Sequence, residues 1–239
     1  MNKAAEENSR TASGQSRLEV IVSSVADAIA AEAGGADRLE LISRFEVGGL
    51  TPSLALVREV IAAVSIPVRV MLRESENFQI DDEAEQRRLC ALAVELAALR
   101  VDGIVCGFLR DGAIDHALLA QVLACAPHIK VTFHRAFEEL KNPVAAIYEL
   151  KRYPQVDRIL TSGGVNRQEQ ADYLNRCARA AKPEITMLAG GGMTAQIIRE
   201  LRERTALGEF HVGTFVREPA NVAGTVSASL VSQLIKDAL

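Results

Sequence analysis

Short runs of β-branched and other apolar residues recur along this chain, each followed by a longer stretch whose apolar positions fall at helical spacing. The beat repeats eight times. Residues 18–22, 37–42, 67–72 and 103–107 read as the first four strands, and 129–133, 157–161, 184–188 and 210–213 as the last four. Helices are expected over 24–34, from the Thr51-Pro52 pair to about 64, and over 82–99, 115–125, 143–151, 167–181, 194–204 and 226–239. Strands alternating with helices of this length favour a parallel sheet, and right-handed crossovers close eight such units into a single (β/α)8 TIM barrel.

Length and composition agree with one barrel. The chain has 239 residues, of which 49% are hydrophobic, enough for one large core without a linker. Residues 17–239 are assigned to the barrel. The polar stretch 1–16 lacks the apolar centre of a secretory signal and is expected to be a disordered tail. No run of about 18 apolar residues predicts a membrane span. The net charge of −4 comes from mixed signs with no basic run, which argues against nucleic acid as a partner. Cys90, Cys106, Cys125 and Cys177 are widely spaced, with no Cys-x-x-Cys pair, and read as reduced thiols of a cytoplasmic protein.

Strand side chains alternate faces, and the alternation turns charge inward. It places Glu19 and Ile21 inside on the first strand, and Arg38, Glu40 and Ile42 on the second. Arg69, Met71 and Arg73 follow on the third, Thr132 and His134 on the fifth, and Glu209, His211 and Gly213 on the eighth. Buried charge is costly unless paired or met by ligand. Arg38, Lys130, Arg158 and Glu209 lie near strand starts and are assigned to a structural ion-pair lattice. Glu40, Arg73, His134 and His211 lie later in their strands, where barrel enzymes place their chemistry, and Glu19 sits between the two sets. His134, Glu40 and His211 are the candidate acid–base residues.

A short echo supports half-barrel repetition: Ala36-Asp37-Arg38-Leu39 returns as Val156-Asp157-Arg158-Ile159. Near the other end, Gly190, Gly191 and Gly192 precede a helix capped at Thr194, and Gly213-Thr214 closes the eighth strand. Barrels commonly hold anions with backbone N–H groups at these two loops, so these residues are candidate ligands for a small anionic metabolite.

Several of these segments resemble one family. Gly35-Ala36-Asp37-Arg38-Leu39-Glu40-Leu41, Glu46-Val47-Gly48-Gly49-Leu50-Thr51-Pro52-Ser53, Val131-Thr132-Phe133-His134-Arg135-Ala136-Phe137 and Arg158-Ile159-Leu160-Thr161-Ser162-Gly163-Gly164 are similar, in order and spacing, to the CutC copper homeostasis family. The resemblance implies a cytosolic barrel, a homo-oligomer and a tie to copper. It places the polar pocket on Glu19, Glu40, Arg73, Thr132, His134, Arg135, Thr161, Ser162 and His211. Family members often carry the proposed copper-ligating cysteines where this chain has Ile21 and Ile42. Copper(I) prefers sulfur, so any Cu(I) binding here is expected to follow Cys106 instead. The segment Arg73-Glu74-Ser75 also departs from the family's Arg-Pro-Arg pattern.

Two functions are carried forward. One is copper handling by a binding or regulatory protein. The other is acid–base catalysis on a small phosphorylated or carboxylated metabolite, with Arg73 and the 190–192 loop holding the anion.

Overall fold

The computed structural model describes residues 16–164, 166 and 169–239. Eight parallel strands close into a barrel: β1 (Arg17–Val22), β2 (Arg38–Leu41), β3 (Val68–Met71), β4 (Gly103–Cys106), β5 (Lys130–Phe133), β6 (Val156–Thr161), β7 (Thr186–Ala189) and β8 (Glu209–Val212). The helices are α1 (Val25–Ala33), α2 (Leu54–Ala63), α3 (Glu83–Ala98), α4 (His116–Cys125), α5 (Pro143–Leu150), α6 (Gln170–Ala181), α7 (Ala195–Arg204) and α8 (Ala228–Ala238). Strand β1 pairs with both β2 and β8, so the sheet has no free edge. The expected tail, 1–16, lies outside the described residues except for Ser16, which is buried.

Local chemistry sets most helix starts. Ser24, Asp82, Asp115, Asn142 and Thr194 each accept a backbone N–H from the first turn of the helix that follows. The second helix corrects the sequence reading. Its cap is Ser53, which accepts from the Leu56 N–H at 3.2 Å. Thr51 turns away instead: its hydroxyl accepts the Arg73 N–H at 2.8 Å and donates to the Arg73 carbonyl at 3.0 Å. The loop after β2 is thereby tied to the end of β3.

The expected face parity holds around the barrel. Leu18, Val20, Leu39, Leu41, Val70, Ile104, Val131, Phe133 and Phe210 are fully buried in the core between sheet and helices. A smaller apolar cluster of Ile42, Met71 and Val105, packed against by Ile21 and Phe45, occupies the inner face.

The rest of the lower interior is an ion lattice. Arg69, fully buried, donates to Asp102 at 2.9 Å, to Thr132 at 2.8 Å and to both oxygens of Asp157 at 2.7 Å. Lys130 joins Asp102 at 3.3 Å. Arg38 and Arg158, the two arginines of the internal repeat, reach from β2 and β6 onto one carboxylate, Glu209, at 2.8 Å and 2.7 Å. Burial raises Glu209, but the two guanidiniums outweigh it and hold the carboxyl at about 2. The lattice assignment of Arg38, Lys130, Arg158 and Glu209 therefore matches their positions.

Candidate functional site

The C-terminal ends of the strands open on a cavity of about 470 Å³. Loops after β2, β3, β5, β7 and β8 all contribute to its wall, as the fold places them. Glu40, Arg73, His134 and His211, four candidates from four strands, all line it.

His211 and Glu40 line the cavity together, with the Glu19 carboxylate behind the imidazole. The Nδ1–H of His211 donates to Glu19 at 2.7 Å, and Nε2 lies 3.4 Å from Glu40 Oε2. The other Glu40 oxygen, Oε1, is buried with no hydrogen-bond partner among the described residues. Burial raises Glu19, yet Arg38 and His211 bond to it and hold it well below the usual carboxylate range. Glu40 lacks an arginine contact, and burial pushes it up to about 7 against the pull of His211. His211 is raised in turn: burial works against its charge, but Glu40 and Glu19 favour it. Near neutral pH, Glu40 and His211 thus share a site with one group poised to hold or release a proton.

Arg73 lines the cavity from the end of β3, the strand next to the β2 of Glu40. Among the described residues its guanidinium bonds only carbonyl oxygens, those of Val47 at 3.5 Å, Gly49 at 3.3 Å and Glu76, and it stacks on the Phe78 ring at 4.7 Å. Its Nε has no partner. The acid that follows it does not neutralise it, because Glu74 is drawn to Arg88 on α3 at 2.7 Å. Arg73 is a cation held by dipoles and by a ring, with capacity left for an anion.

His134 has a different character from His211. It caps a short 3-10 turn, Arg135–Glu139, accepting the Ala136 N–H on Nδ1 at 3.2 Å. An accepting Nδ1 puts the ring proton on Nε2. Burial, with Arg73 behind it, pushes the imidazole down to about 3. His134 is therefore a neutral hydrogen-bond donor near pH 7, and the acid–base capacity of the site lies with Glu40 and His211. Gly107 makes room for the ring, since a Cβ there would stand 2.7 Å from His134 Nδ1.

The remaining candidates divide. Arg135, Gly191, Gly192, Gly213 and Thr214 line the cavity, whereas Glu19, Thr132, Thr161, Ser162 and Gly190 do not. Thr132 is taken up by Arg69 in the lattice, and the Gly190 N–H bonds the Thr161 carbonyl at 2.9 Å. Leu160, not Thr161, faces the cavity. Glu138, which the sequence reading passed over, draws Arg135 into an ion pair at 2.7 Å and also accepts the Ser162 N–H. The signal was the three-residue spacing of Arg135 and Glu138.

Phe45 was also missed, because its place depends on distant contacts. It lies over the guanidinium of Arg217 at 5.1 Å. Arg217 is itself buried and fixed by Asp27 at 3.0 Å and by the Ile21 and Gly224 carbonyls.

The donor set decides which metals suit the mouth. Ile21 lines the cavity and Ile42 packs behind it, so neither supplies sulfur. Cys106 does not replace them: it is fully buried in the outer core, on the opposite face of β4 from Val105, and burial pushes its thiol up to about 12. That corrects the expectation that Cu(I) would follow Cys106. Among the described residues no thiol lines the cavity, and its sulfurs belong to Met71 and Met193, both buried in packed clusters. These residues do not fit a thiolate copper(I) centre. By contrast, ligand atoms of Glu19, Glu40 and His211 lie within 4.8 Å of one another.

Known proteins share both this sequence and this fold. The CutC family model matches residues 16–216. A human copper homeostasis protein cutC homolog is 38% identical over 197 residues, covering 81% of this chain and 71% of its own. A CutC family protein of Mesorhizobium japonicum is 34% identical over 207 residues, covering 86% and 80%. The crystal structure of a CutC protein from Streptococcus agalactiae superposes with a TM-score of 0.77 at 25% identity, over 84% of this chain and 99% of that one. Thiamine phosphate pyrophosphorylase from Pyrococcus furiosus, 14% identical with a TM-score of 0.58 over 93% and 96%, shares the barrel alone. Matched by the family model from the first described residue to beyond the last barrel strand, and by relatives of 34% and 38% identity, this chain belongs to the CutC family.

Proposed function

We propose that this CutC family member works as a cytosolic homo-oligomer that binds a small polar metabolite at the barrel mouth. The observation that carries this reading is Glu40 Oε1, buried without a partner among the described residues beside a cavity that Arg73 also lines. A buried carboxylate oxygen left unmet costs free energy, and a ligand hydroxyl, ammonium or cation would recover it. Arg73 would take the ligand's carboxylate or phosphate. Gly191 and Gly192, which lead into α7, line the same cavity from the end of β7, across the barrel from β3, and their N–H groups would serve as further anion donors. Nucleic acid and membrane play no part in this reading.

The family's tie to copper enters through the relatives' names, and with Ile21 and Ile42 at the mouth this chain would serve copper homeostasis without a thiolate site there. A second reading, catalysis, is favoured by one observation: Glu40 is held at about 7, where a general base or acid works best. His211 would then steady the Glu40 charge and His134 would donate to a substrate oxygen from Nε2.

Thermal shift against carboxylated and phosphorylated metabolites tests the binding reading. A ligand at about 100 times its dissociation constant should stabilise the fold by ~2.7 kcal/mol. Arg73→Ala should remove that shift. No shift with any anion, or one that persists in Arg73→Ala, would overturn the reading. Sedimentation at several protein concentrations checks the oligomer.

A further inference from the structure

We propose that His211 Nε2 and the Glu40 carboxylate form a binding site for a divalent first-row cation, with Glu19 orienting the histidine from behind. This rests on the mouth being the ligand site, but on its Glu40 side and not on Arg73.

Two distances to the same imidazole carry the argument. Nδ1 stands 2.7 Å from Glu19, the length of a strong charge-assisted hydrogen bond. Nε2 stands 3.4 Å from Glu40 Oε2, too long for one. That longer distance is a good bite for a metal. With bonds of about 2.1 Å to nitrogen and oxygen, a separation of 3.4 Å subtends roughly 110°, close to the tetrahedral angle.

The geometry around the ring is that of a ligating histidine. Glu19, kept ionised by Arg38, accepts the proton on Nδ1, which leaves the Nε2 lone pair directed at Glu40 and the cavity. Glu40 has no arginine and one oxygen, Oε1, with no partner at all, although the whole side chain is buried. An ion would satisfy that oxygen and compensate the charge. The cavity beyond leaves the other coordination positions to water or to an anion held by Arg73. The donors are imidazole and carboxylate, which suit divalent first-row ions such as Zn²⁺, Co²⁺ or Mn²⁺ and not the soft Cu(I).

The test uses the whole protein stripped of metal by chelator, with Zn²⁺ and Co²⁺ as probes in calorimetric titration and Co²⁺ absorption reporting the ligand field. One equivalent should bind, with no thiolate charge-transfer band. Glu40→Ala and His211→Ala should each abolish the stoichiometric site, and Glu19→Gln should weaken it by about 10- to 100-fold. Circular dichroism confirms that each variant is folded. Should either alanine variant fail to fold, the wild-type Co²⁺ spectrum and the Glu19→Gln titration decide the matter alone. Failure of both ions to bind, a thiolate band, or binding unchanged in Glu19→Gln or in a folded Glu40→Ala would overturn the proposal. Arg73→Ala should retain the cation. An Arg73-dependent anion shift without any cation binding would remove this site and leave the metabolite pocket standing.

Discussion

Arg69 and Arg73 leave the same stretch of chain on the same face, yet they live in opposite circumstances. Every nitrogen of Arg69 is matched by Asp102, Asp157 or Thr132, and the side chain is completely shielded from solvent. Four residues later, Arg73 finds only carbonyls and a phenyl ring. The carboxylates repeat the contrast: Glu209 is gripped by two arginines, while Glu40 has a histidine on one oxygen and nothing on the other. Depth in the barrel thus separates charge that holds the fold from charge left open at the mouth. A closed lattice has no remaining valence for a ligand, and an open one is stable only because water or a ligand can finish it.

Breaking the closed layer should have the largest effect. Arg69→Met removes the fully buried cation that joins Asp102 to Asp157, leaves Asp102 to Lys130 and Asp157 to Arg158, and should destabilise the fold by about 3 kcal/mol, the lower end of what removal of one member of a buried pair costs. Urea denaturation measures it. A cost below ~1 kcal/mol would mean that the lower lattice is as dispensable as surface ion pairs.

The next effect is smaller and sits at the open layer. Arg73→Ala should weaken any bound anion at least tenfold, about 1.4 kcal/mol, while changing unfolding in the absence of ligand far less than Arg69→Met does. Equal destabilisation by the two variants would erase the distinction drawn between the layers.

His134 sharpens the contrast through pH. Its folded value of about 3 lies below the ordinary 6.5, so between those limits the unfolded chain takes up a proton that the folded chain refuses. The stability it contributes is complete above about 6.5 and is lost as pH falls toward 3. The stability difference between wild type and His134→Gln, followed by denaturation from pH 7.5 to 5, should shrink as pH drops. A difference that stays constant would show the ring titrating normally.

Glu40→Gln should change stability least. Glutamine keeps the shape and removes a charge that burial already disfavours, so the denaturation midpoint should stay level or rise by up to about 1 kcal/mol in stability. A large loss would place Glu40 in the structural lattice and close the gap between the two layers.

The alternation of inner and outer positions on β1, β2, β3 and β8 was legible in the chain because a strand's side-chain period is fixed by backbone geometry. From it followed the eight-strand barrel, the inward charges, the assignment of Arg38, Arg158 and Glu209 to the lattice, and the convergence of Glu40, Arg73, His134 and His211 on one mouth. The cap at Thr194 was legible for a similar reason, since it acts within a few residues of itself.

Partner choice was not legible. Whether Thr132 faced a ligand or Arg69, whether Thr51 capped a helix or tied down Arg73, and whether Arg135 was free or held by Glu138 depended on which groups the closed barrel brought within hydrogen-bonding reach. The same holds for Cys106, whose outward position in the core sealed its thiol away from the mouth. Residue type and period decide which face a side chain takes; only the closed tertiary arrangement decides how deep it lies, which charges surround it and which of its valences stay open, because hydrogen bonding and desolvation act over a few ångströms between residues far apart in the chain.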